Sequence, residues 1–108
     1  YQYLTESFKY TDVDKLKMLL PETIDDISLH YDLSLDQTIG LFMHIACLVE
    51  RLLEGKGHPM LRDNQAVLRT FKQDRIIISK ILKKIERSFD IIVTDAEIST
   101  IILIIKKL

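Results

Sequence analysis

The sequence predicts an all-α fold, a compact antiparallel bundle of about five helices. Leucine and isoleucine recur at steps of three and four along most of the 108 residues, which sets them on one face of successive helices. Helix start signals, a hydroxyl or acidic cap before an apolar repeat, stand between turn-forming runs. Nowhere do alternating apolar and polar residues meet at a hairpin turn, as an antiparallel sheet would require. The spacing of starts and stops gives the number of helices.

The first stripe is Val13, Leu16, Leu20, Ile24, Ile27 and Tyr31. Thr11 is its expected cap, and Pro21 should kink the helix or divide it in two. Ser34-Leu35-Asp36-Gln37 is a capping box, in which the Ser34 hydroxyl and the Gln37 amide satisfy each other's backbone N–H groups. From it run Leu41, Ile45, Leu48 and Leu52, until Gly55-Lys56-Gly57-His58-Pro59 stops the helix. Val67, Leu68 and Phe71 mark a short helix over 64–71. A longer one follows, with Ile78, Ile81, Leu82, Ile85 and Phe89 inside and Lys80, Lys83, Lys84 and Arg87 outside. Thr94-Asp95-Ala96-Glu97 has the form of another capping box. The segment it opens, Ile98 to Ile105, is rich in β-branched residues that suit a strand by propensity. The cap at its start and Lys106-Lys107 at its end, favourable to a helix dipole, favour a buried helix.

Bulk composition sets the class. With 47% hydrophobic and 29% charged residues the chain can bury one core, and its length suits one domain. Fifteen basic residues against sixteen acidic ones leave a net charge of −1. A domain that grips nucleic acid directly would carry a basic excess or stripe, so such contact is not expected. The single cysteine, Cys47, forms no intrachain disulfide, and no secretory signal is present; a reducing cytoplasm is the expected setting. Ile98–Ile105 is too short to span a bilayer. The chain opens Tyr-Gln-Tyr without Met and is expected to be one domain over 1–108, residues 1–10 being a linker or leading segment, taken from a larger protein.

Three histidines are candidates for chemistry. His30 ends the first stripe, where a cation favours the dipole. His58 sits in the Gly-Pro loop. His44 is distinguished by its neighbours. At about 100° per residue it falls away from the Leu41–Ile45–Leu48–Leu52 stripe, in a strip with Gly40, Cys47 and Arg51. Helical side chains lean towards the N-terminus, so its imidazole lies over the turn containing Gly40. Glycine within a helix costs about 1 kcal/mol relative to alanine, and either room beside the ring or close helix packing would account for it. Arg51 is seven residues on, about 10 Å along the axis, and leans back towards His44. A guanidinium there would favour an anionic group on the ring through forked hydrogen bonds. His44 and Cys47 have metal-ligand spacing, but two ligands do not close a site. No Ser-His-Asp or Cys-His set, phosphate loop or zinc motif is present, so neither a catalytic residue nor a cofactor is expected.

The stretch Leu41-Phe42-Met43-His44-Ile45-Ala46-Cys47-Leu48-Val49-Glu50-Arg51-Leu52-Leu53 resembles the first signature of the PTS regulation domain family, a helical histidine followed seven residues later by the arginine of a Glu-Arg pair. Asp95-Ala96-Glu97-Ile98-Ser99-Thr100-Ile101-Ile102 is similar to its second signature, and Gly55 through Leu61 to the loop between them. The resemblance runs from about Val13 to the end. It implies a helical bundle from a bacterial transcriptional regulator, phosphorylated on His44 by HPr or an enzyme IIB of the sugar phosphotransferase system. Where antiterminator members have an acidic residue before the histidine, Met43 stands here. Where members with a second acceptor have a histidine in the last helix, Ile104 stands here. These departures and the Pro21–Ile24 run resemble domains of the levan-operon-type, sigma-54-dependent activators, with one acceptor.

A neutral imidazole is a competent nucleophile near pH 7, and a donor protein that brings an activated phosphoryl group leaves no need for a metal or catalytic base. The added negative charge, at a contact with a second copy, would bias assembly of the parent regulator. The alternatives are a structural dimerisation module, with Gly40 and Cys47 as a packing surface, and a small helical enzyme or metal protein.

Overall fold

The computed structural model describes residues 8–56 and 62–107. Five helices make up the described fold: α1 Val13–Ser28, α2 Leu35–Leu53, α3 Arg62–Thr70, α4 Lys72–Phe89 and α5 Asp95–Lys106; no strand occurs among these residues. Cross-helix contacts fix their directions. Thr11, before α1, meets Glu50 near the end of α2, and Lys15 and Glu22 of α1 meet Ser88 and Lys84 of α4. Gln37 at the start of α2 meets Ile105 at the end of α5, whereas Arg51 meets Glu97 at its beginning. The pairs α1/α2, α1/α4 and α2/α5 are therefore antiparallel.

The expected stripes form the core. Leu16, Leu20 and Ile27 from α1, Leu41, Ile45 and Leu48 from α2, Ile78, Leu82 and Ile85 from α4, and Ile101 and Ile102 from α5 are fully buried. Burial of Ile98, Ile101, Ile102 and Ile105 also explains why a β-branched segment is helical, because packing outweighs a propensity difference of tenths of a kcal/mol per residue. Lys80, Lys83, Lys84 and Arg87 form the exposed face of α4, as expected.

Two local expectations are corrected. Asp12, not Thr11, caps α1 by accepting from the Lys15 N–H at 3.2 Å. Thr11 instead donates its backbone N–H and hydroxyl to Glu50 at 3.0 and 2.8 Å, binding the lead-in chain to α2. Pro21 does not divide α1, which runs unbroken over 16 residues. The ring lies on the exposed side, while Leu16, Leu20, Ile24 and Ile27 hold the helix to the core on both sides of it. Their burial offsets the roughly 3 kcal/mol that an interior proline costs.

The capping box of α2 forms as expected. Gln37 N–H donates to Ser34 Oγ at 3.1 Å, and the Ser34 N–H donates to Gln37 Oε1 at 2.8 Å. The same Gln37 side chain donates through Nε2 to the carbonyls of Ile104 and Ile105, at 3.1 and 2.8 Å. One amide therefore closes the start of α2 and the end of α5, which fixes the register of the seam containing His44.

Candidate functional site

The strip Gly40–His44–Arg51 faces α5. His44 and Arg51 converge on Glu97, in the first turn of that helix, whose side chain is wholly buried. Arg51 Nη2 donates to Glu97 Oε1 at 2.8 Å. His44 Nε2 lies 3.1 Å from Glu97 Oε2, within ion-pair range but off the straight line that a ring N–H prefers. One carboxylate thus bridges the two residues whose spacing marks them as a pair.

Glu97 is the member that sequence reasoning misses. Its place three residues after Thr94 suggests a capping box, but Thr94 makes no side-chain cap bond and its hydroxyl has no partner among the described residues. The carboxylate is turned across the seam to α2 instead of back to its own helix start, because two cationic or donor groups wait there. A signal is available in the sequence: Glu97 lies one turn before Ile101 on the buried stripe, and an acid within an apolar stripe requires a buried partner. Burial alone would push the Glu97 carboxyl up. The hydrogen bonds and charges of His44 and Arg51 outweigh it and hold the group down at about 2, so it is ionised at neutral pH.

Gly40 lies against α5: a Cβ built there would meet Ile104 Cγ2 at 3.8 Å, an ordinary contact. Ile104 thus belongs to the same seam as His44. Neither of the two reasons offered for this glycine is required by the geometry, since the site takes a Cβ without a clash and no atom of the His44 ring lies within 4 Å of it. Gly40→Ala should fit without strain and stabilise the fold by about 0.5–1 kcal/mol through helix propensity, whereas Gly40→Leu should destabilise it by overpacking; urea unfolding of both variants checks this.

The other candidates lie elsewhere. His30 is exposed in the turn after α1, tilted against Tyr31 with ring centres 6.4 Å apart. His58 lies outside the described residues. Cys47 is a free, half-buried thiol. Among the described residues no group of three or more His, Cys, Asp or Glu side chains could hold a metal ion, and no helix is long and apolar enough to cross a membrane.

A family model described as the PRD domain matches residues 22–108, which takes in α2 to α5 with His44, Arg51 and Glu97. The chain belongs to the PRD, or PTS regulation domain, family. Domains of this family are regulatory rather than catalytic, and they place transcription regulators under the sugar phosphotransferase system. No curated protein and no solved structure matches the chain.

Proposed function

We propose that this domain is a histidine phosphorylation switch in a cytoplasmic bacterial transcriptional regulator, with His44 as its single acceptor and HPr or an enzyme IIB as donor. The observation that carries the reading is the meeting of His44 and Arg51 on the buried Glu97 carboxylate, inside a family defined by phosphotransferase control. Ile104 at the place of a second acceptor, with Met43 before His44, favours a sigma-54-dependent activator of the levan-operon type as the parent.

Phosphorylation would bring a further anion beside Glu97. Two negative groups about one ring repel, and Arg51 can pair with either, so the α2/α5 seam becomes the element that the modification biases. Leu35, Ile39 and Met43 are exposed along α2 at steps of four, ending next to His44. This apolar ridge is suited to a second copy of the domain, whose association the new charge would alter. The near-neutral chain has no role here in direct contact with nucleic acid.

Incubation with phosphoenolpyruvate, enzyme I and HPr should label the wild-type domain and leave His44→Ala unlabelled. Undiminished labelling of the variant contradicts the assignment. Light scattering before and after phosphorylation separates this reading from a purely structural module, which would show one assembly state throughout.

A further inference from the structure

We infer that Glu97 is the positioning residue of the acceptor, holding the proton on His44 Nε2 so that the phosphoryl group is received on Nδ1. This rests on His44 being the acceptor and adds which of its two nitrogens reacts, and why.

The geometry distinguishes the two nitrogens. Nε2 is sealed from solvent and lies 3.1 Å from an oxygen of a carboxylate that is itself wholly buried. No donor protein can reach it while α2 and α5 are packed. Nδ1 has no hydrogen bond to any described residue and is not sealed off as Nε2 is. The open 16% of the side chain lies away from Nε2. An ionised carboxylate can only accept, so in the neutral ring it selects the tautomer with hydrogen on Nε2 and the lone pair on Nδ1. Arg51 fixes the carboxylate from the other side, through Oε1.

The transfer balances without a further reactant. The Nδ1 lone pair forms the new N–P bond as the bond between phosphorus and the donor's own phosphorylated side chain breaks, its electron pair returning to the donor. No proton leaves the acceptor. The hydrogen stays on Nε2, and the positive charge that the ring acquires is met by Glu97 at hydrogen-bond distance.

The test is nitrogen-15 and phosphorus-31 NMR of the chain with labelled histidine, phosphorylated by phosphoenolpyruvate, enzyme I and HPr. The inference expects phosphorus coupled to His44 Nδ1 and hydrogen retained on Nε2. In unphosphorylated Glu97→Ala the tautomer ratio should move towards that of free imidazole. Its phosphotransfer rate should fall about tenfold or more, and Glu97→Gln, which keeps an acceptor oxygen, should recover part of both. Phosphorus on Nε2 of the wild type overturns the inference and leaves His44 as acceptor. Unchanged tautomer and rate in folded Glu97→Ala and Glu97→Gln overturn the role of Glu97. No phosphorus on His44 with either HPr or an enzyme IIB as donor removes the functional reading and this inference together.

Discussion

Glu97→Ala is expected to cost the domain about 3 kcal/mol or more, the cost of breaking a buried ion pair by removing one partner. The carboxylate is wholly buried and answers both His44 Nε2 and Arg51 Nη2. Its removal leaves the Arg51 guanidinium facing a cavity at the seam, where Arg51 Nε already has no partner among the described residues. Because Arg51 retains some exposure, part of its charge can rehydrate, which places the loss near the lower end of the roughly 3–5 kcal/mol range. Glu97→Gln should cost less, since its carbonyl can still accept from Arg51. Urea unfolding with a common m-value measures both. A loss below about 1 kcal/mol for the alanine variant would show that the bridge does not hold the seam.

Acid titration gives the same group a second signature. The Glu97 carboxyl is at about 2 in the folded domain against 4.5 ordinarily. A folded value below the unfolded one means that the unfolded chain binds the proton first. The contribution of Glu97 is therefore fully present above about 4.5 and is lost as pH falls towards 2. Wild-type stability should decline across that window, and the decline should be shallower in Glu97→Gln.

Ile101→Ala is the other large effect, expected at about 3–4 kcal/mol, because isoleucine-to-alanine changes in a packed core lose both transfer energy and the cavity term. Ile101 is fully buried on α5. Ile92, exposed in the loop before α5, provides the control. Ile92→Ala should cost under about 0.5 kcal/mol. Similar losses at both positions would contradict the burial pattern of the last helix.

These effects fall at residues that differ in how far the sequence reveals them. The core stripes of α1, α2 and α4 are legible because apolar residues at steps of three and four have few other uses. The Ser34–Gln37 box is legible because its parts are three residues apart and act locally. Thr11 as a cap and Pro21 as a break between two helices mislead for one reason: tertiary contacts, Glu50 for the first and core burial around the second, outweigh local rules. His44 and Arg51 emerge together because seven residues along a helix return nearly to the same face. Glu97 does not, because its nearer partner in the chain, Arg51, stands 46 positions earlier, and a local capping pattern offers a sufficient explanation of its type. The reading of a single acceptor depends on Ile104, which the fold brings into the same seam through its contact at Gly40.

The most direct test of the central claim is to map the phosphoryl group in the wild-type chain. The domain would be phosphorylated with phosphoenolpyruvate, enzyme I and HPr, digested at neutral pH, and sequenced by electron-transfer mass spectrometry. The chain has three histidines, His30, His44 and His58. The account predicts one phosphoryl group, on His44. A group on His30 or His58, or a domain that takes up none from either HPr or an enzyme IIB, would contradict it.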